Sequence, residues 1–152
     1  MSTTTDFVTF YVGGHYLGIS VADVLELNRN MDVTPVPKSP KIVRGVTNLR
    51  GQLVAAIDMY ERLKLDKNTA NQEPLSIILQ CDGYLIAILV DDVGEILSLE
   101  ADNFEPPPTN FSKAAKELIV GVYKLPEKLL LILNAKRIAE RLEPPQKQLA
   151  VL

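Results

Sequence analysis

Two of the side chains that most often carry chemistry occur only once each in this chain, His15 and Cys81. His15 follows Gly13-Gly14, a turn signal, so the expectation is a solvent-exposed hairpin residue and not a general base. Cys81 ends the apolar run from Leu75 and has no second cysteine to pair with, which fits a buried, inert thiol. Asp91-Asp92 is the only adjacent carboxylate pair. Neighbours on a strand point to opposite faces, so these two carboxylates do not converge on one metal or substrate. No His, Cys, Asp and Glu grouping has metal-ligand spacing, and no glycine-rich loop leads from a strand into a helix as a phosphate or dinucleotide site requires. The expectation is a protein without catalysis, metal or cofactor. What remains is recognition chemistry, above all Arg50 beside Gly51, whose planar fork suits a carboxylate or a helix C-terminus.

Composition narrows the partners. The chain has 152 residues, 47% hydrophobic, with 16 Lys+Arg against 19 Asp+Glu. Such a length buries a core without disulfides or a structural metal. A net charge of -3 argues against nucleic acid or an anionic membrane surface as the main partner, because both require a basic footprint. Met1 to Asp6 carries neither a basic region nor an apolar one, and the apolar stretches Tyr84 to Val90 and Leu129 to Leu133 are far short of a bilayer span. A cytoplasmic protein without membrane insertion is expected.

The elements that must position Arg50 come in two copies. Val8 to Tyr11, Tyr16 to Ile19, Asp23, Val24 and Glu26 have counterparts in Ser76 to Leu79, Tyr84 to Ala87, Asp91, Val93 and Glu95. Matching the tyrosines gives an offset of 68 (84 − 16), which one insertion turns into 69 at Glu26 and Glu95 (95 − 26). Gly45 to Leu49 and Leu53 to Asp58 match Gly121 to Leu125 and Leu129 to Asn134 at an offset of 76 (121 − 45). Seven further residues in the second copy place an inserted loop around Pro106-Pro107-Pro108. Within each copy, short β-branched and aromatic runs between turn signals predict five strands. They lie at about 7–12, 15–20, 24–29, 42–49 and 52–57, then 75–81, 84–90, 93–98, 117–124 and 128–134. Asp58 and Asn134 read as N-caps of helices running from Met59 to Lys64 and from Ala135 to Leu142. Five short antiparallel strands close most economically into a barrel. The expected fold is all-β with short helices: two five-stranded barrels, about 7–65 and 74–142, sharing an apolar seam, then a frayed tail over 143–152.

The segment Phe10 to Leu63 contains Tyr16-Leu17-Gly18-Ile19, Val21 to Leu27, Thr34-Pro35-Val36-Pro37, Arg44-Gly45-Val46-Thr47-Asn48-Leu49-Arg50-Gly51 and Ile57-Asp58. This pattern resembles the CheW family, the coupling proteins of bacterial chemotaxis-type arrays, and the likeness extends from about Phe7 to Leu142. It implies two intertwined SH3-like barrels and a non-catalytic adaptor. Its partners would be the cytoplasmic tip of chemoreceptors and the regulatory domain of the CheA-type histidine kinase. It also implies recruitment to membrane-associated arrays and a monomer when isolated. The receptor-contacting surface would fall on Val21, Val24, Glu26, Arg50 and Gly51, with Val93 and Ile96 facing them from the second barrel. For the valines, barrel core is the competing assignment. Phe111 in the inserted loop is a candidate kinase contact, or else packs onto its own barrel. Ala55-Ala56 departs from the larger residues and proline usual there. An array with pilus-motility or other non-flagellar output fits the same residues, and an SH3-like nucleic-acid-binding barrel is opposed by the acidic charge and the absence of Trp.

Overall fold

Three two-residue turns organise the chain. Gly13-Gly14 joins β1 (Thr4–Val12) to β2 (His15–Ser20), Arg50-Gly51 joins β4 (Val43–Leu49) to β5 (Gln52–Asp58), and Asp82-Gly83 joins β6 (Leu75–Cys81) to β7 (Tyr84–Val90). Both residues of each turn have positive φ, the geometry that matches the twist of the flanking strands. The other strands are β3 (Val24–Asn28), β8 (Asp92–Glu100), β9 (Ile119–Lys124) and β10 (Leu129–Leu133). Among the described residues three short α-helices complete the set: α1 (Met59–Leu63), α2 (Lys113–Leu118) and α3 (Ala135–Ala139). This computed structural model describes residues 3–29, 31–67 and 73–140. The expected tail over 143–152 lies outside them.

The ten strands form two five-stranded sheets, as expected, but neither sheet belongs to one half of the chain. One runs β8-β1-β2-β10-β9 and the other β3-β6-β7-β5-β4. Each half keeps its first hairpin in one sheet and sends its last three strands to the other, so a division between residues 65 and 74 does not separate the sheets. The first crossing is the 3-10 turn Val21–Asp23, where the Ser20 hydroxyl accepts the Ala22 N–H at 3.3 Å. A turn specifies its own hairpin, but nothing local specifies the partner of an outer strand, and so the exchange is not readable from the turns.

The exchange obeys the repeat. Val12 pairs with His15 as Cys81 pairs with Tyr84, and Leu17 lies beside Leu131 as Ile86 lies beside Ala55. Equivalent positions of the first block are therefore offset by 69 throughout (84 − 15), with no insertion. The tyrosine match at 68 was one residue out of register, so Tyr84 corresponds to His15. The offset of 76 in the second block holds, since Gly45 opposes Ala56 as Gly121 opposes Ile132. Each barrel is closed by a strand that crosses back. Thr34 exchanges both backbone hydrogen bonds with Val46 at 2.8 and 2.9 Å, and Glu105 does the same with Val122 at 2.9 and 2.8 Å.

The largest apolar cluster draws on both sheets, with Phe10, Leu17 and Ile19 from one and Ile57, Ile77 and Ile88 from the other. This is the shared seam. Smaller clusters fill the barrels, one around Phe7, Tyr123 and Leu130 and the other around Leu49, Val54 and Ile78. Helix α2 takes the first residues of the strand expected over 117–124, because Ser112 caps it by accepting the Ala115 N–H at 3.2 Å. Asp58 and Asn134 cap α1 and α3 as read from the sequence.

Candidate partner-binding surface

Strand β3 carries an inverted alternation. Its apolar residues Leu25 and Leu27 are 46% and 50% exposed, whereas Val24, Glu26 and Asn28 are half-buried. Strand β8 occupies the equivalent edge of the other sheet, and its Ile96, the counterpart of Leu27 at an offset of 69, is 65% exposed. Leu27 lies opposite the buried Ile77 and Ile96 opposite the buried Val8, so each is the outermost apolar residue of a row that begins in the seam. Val21, 37% exposed at the crossing turn, adds to the set. The register of the first sheet runs Ile96, Val8, Ile19, which puts Ile96 about 10 Å from a residue two places before Val21. Among the described residues the exposed large apolar side chains are these four and Phe104. Single exposed aliphatics need no explanation, but four on two symmetry-equivalent edge strands and the crossing beside them make an apolar surface that solvent alone does not favour.

Arg50 and Gly51 stand beside β3. The Arg50 guanidinium donates to the Glu26 carboxylate, which fixes the hairpin tip against the strand. The Asn48 side chain accepts the Gly51 N–H at 2.8 Å. Arg50 has φ 53, the left-handed region, where a turn would favour Asn or Gly. Turn closure does not explain its presence. We predict that Arg50→Asn raises stability by roughly 0.5 kcal/mol in urea unfolding, since relief of the left-handed strain exceeds the loss of an exposed ion pair. A clear loss of stability would show instead that the pair with Glu26 is structural.

The expected site residues thus separate. Val21, Arg50, Gly51 and Ile96 are exposed, and Glu26 is half-buried against Arg50. Val24 and Val93 pack against the seam and support the surface from below. Leu25 and Leu27 were missed, although Val-Leu-Glu-Leu places two leucines on one face of a strand and the glutamate on the other. Phe111 is also half-buried against the seam, so the inserted loop packs this aromatic onto the barrel, and the exposed aromatic of that region is Phe104.

The other chemical candidates face solvent or serve the fold. His15 is exposed at its turn. Cys81 is buried, its thiol pushed up to about 11 by burial first and then by the charges of Asp23 and Asp82. Asp91 accepts the Gly13 N–H at 2.8 Å and the Tyr60 hydroxyl, while Asp92 accepts the Val93 N–H, so the adjacent carboxylates serve different turns. No helix among the described residues is long and apolar enough to cross a membrane.

Comparison with known proteins places this geometry. A family model described as "CheW-like domain" matches residues 6–143. The chain is 29% identical to "Chemotaxis protein CheW" of Klebsiella aerogenes over 133 residues, covering 88% of this chain and 80% of that one. It is 26% identical to "Chemotaxis protein CheW" of Bacillus subtilis, covering 93% and 90%, and 26% identical to "Protein FrzA" of Myxococcus xanthus, covering 75% and 71%. Among solved structures, the scaffolding protein TtCheW from Thermoanaerobacter tengcongensis superimposes with a TM-score of 0.81 at 25% identity, covering 91% of this chain and 94% of that one.

Proposed function

The chain belongs to the CheW-like domain family, and from that premise we propose that it is a non-catalytic adaptor coupling chemoreceptors to a CheA-type histidine kinase in a cytoplasmic, array-associated complex. The observation that supports this best is the exposure of Leu25 and Leu27 on edge strand β3 and of Ile96 on the equivalent edge strand β8, with the charged pair of Arg50 and Glu26 beside β3. A helical receptor tip offers apolar residues at i, i+3 and i+4 beside charged ones, and such a helix pairs with an apolar floor and a charged rim. Val21, Val24, Glu26, Arg50, Gly51, Val93 and Ile96 make up the receptor side in this reading.

Purified protein should retain both a chemoreceptor signalling fragment and the kinase regulatory domain in pull-down. Arg50→Glu and Ile96→Asp should each weaken the receptor fragment at least about tenfold and leave the kinase domain bound. If both variants bind the receptor like the parent, the site is misplaced. If neither partner binds the parent protein, the adaptor function itself fails.

A further inference from the structure

The protein is acidic overall, yet its helical end is not. Pro40 to Ile42, α1 and α2 surround an open cleft of about 500 Å³, with the exposed Lys41, Lys64 and Lys113 on its rim. None of these three lysines has an ion-pair partner among the described residues, whereas Lys67, Lys124 and Lys136 are paired with carboxylates, Lys67 with Glu61 of the lining itself. Arg62 lies on the wall, 4% exposed, and is already engaged. It donates to the Glu117 carboxylate at 3.2 Å and to the backbone carbonyls of Arg137 at 2.8 Å and Ile138 at 3.3 Å. Counting Glu61, which Lys67 pairs, the lining holds four cations and two carboxylates, an excess of two positive charges on a chain whose net charge is -3.

We propose that this cleft binds an acidic peptide segment of a protein partner, at a surface separate from the apolar strand edges. The engaged Arg62 ties α1, α2 and α3 together and so holds the cleft open before any ligand arrives, which removes part of the ordering cost of binding. The free cations stand around the rim instead of converging on one point. That arrangement suits several carboxylates along an extended chain better than a single small anion. A flat anionic bilayer is disfavoured, because the charges rim a concavity that also contains Glu61 and Glu117 and because the whole molecule repels a polyanionic surface.

The test is fluorescence anisotropy with a labelled deca-glutamate peptide at low salt, set beside co-sedimentation with phosphatidylglycerol vesicles. The full-length protein should bind the peptide, lose affinity as salt rises and leave the vesicles in the pellet alone. The variant Lys41→Gln, Lys64→Asn, Lys113→Gln should bind at least about tenfold more weakly, while Lys38→Gln, outside the cleft, should bind like the parent. Asn at position 64 retains the left-handed C-cap, where φ is 58, so the fold is preserved and a circular dichroism melt checks it. Equal peptide affinity in the triple variant overturns the proposal. So does binding of vesicles but not of peptide.

Discussion

Gly45→Ala should lose at least about 3 kcal/mol of stability, enough to lower the melting temperature by roughly 6–12 °C. The closing strand of the second sheet crosses directly over Gly45. A Cβ built there would stand 2.2 Å from the carbonyl oxygen of Thr34, 2.7 Å from its carbonyl carbon and 3.0 Å from Cα of Pro35. All three are backbone atoms, and moving them breaks the paired Thr34–Val46 hydrogen bonds that close the barrel. The symmetry-equivalent Gly121 provides the control. Its added Cβ would meet the ring of Phe104 at 2.0 Å, but that ring is 39% exposed and can swing into solvent. Gly121→Ala should cost only about 1 kcal/mol, and adding Phe104→Ala should change stability little further. Urea unfolding of the variants decides the matter. If Gly45→Ala unfolds at the parent's midpoint, the close crossing described here is wrong.

Asp58→Ala should cost about 2–3 kcal/mol, and in a pH-dependent way. The side chain accepts the Tyr60 and Glu61 N–H groups at 3.0 and 3.2 Å and pairs with Arg44 at 3.0 Å and Lys67 at 3.2 Å. Burial by itself raises this carboxyl, but the hydrogen bond and charge of Arg44, the Glu61 N–H and Lys67 outweigh it and hold the group below its ordinary value of 3.8. A carboxyl depressed in the folded state contributes stability that is complete above the unfolded value near 4 and disappears as pH falls through the lower folded value. Stability measured from pH 6 downward should therefore decline less steeply below pH 4 in Asp58→Asn than in the parent. The second copy suggests a repair. At an offset of 76, Arg44 and Asp58 correspond to Val120 and Asn134, so both members of the pair are absent there together while the cap remains. Asp58→Asn should cost about 1 kcal/mol, and Arg44→Val added to it should recover part of the loss by removing the stranded cation. Strictly additive costs would show that the two residues do not interact.

The sequence was readable wherever a physical rule acts over a few residues. Strands β6 and β7 begin and end where alternation and turn signals put them, and Asp58 and Asn134 cap the expected helices. What escaped depends on distant pairing. The partner of β3 is β6, about fifty residues away, and no hydrophobic period distinguishes that partner from β2. The register error arose because Tyr16 and Tyr84 match as letters, while the turns place His15, not Tyr16, opposite the role of Tyr84. The glycines of the repeated Gly-Val pair were visible as a motif, but their cause, a chain crossing within van der Waals distance, exists only in three dimensions. The exposed apolar surface was half legible. Arg50 and Ile96, named through the family resemblance, are exposed; Leu25 and Leu27, exposed as well, were overlooked because an apolar strand residue is assigned to the core by default; and of the two readings of Phe111, packing onto its own barrel is the one the structure shows.

The exchange of strands between halves also fixes when this chain can fold during synthesis. Hairpin β1–β2 is complete by Ser20, yet its neighbours β8 and β10 begin at Asp92 and Leu129. At ribosomal speeds of about 5–20 residues per second, the hairpin waits roughly 4–15 s for β8 alone, with both edges open and one apolar face uncovered. The pairing of Thr4 with Glu100 must then close a loop of 96 residues (100 − 4) before it yields any contact energy. The nascent first half is therefore the stage at which a chaperone would have the most to hold.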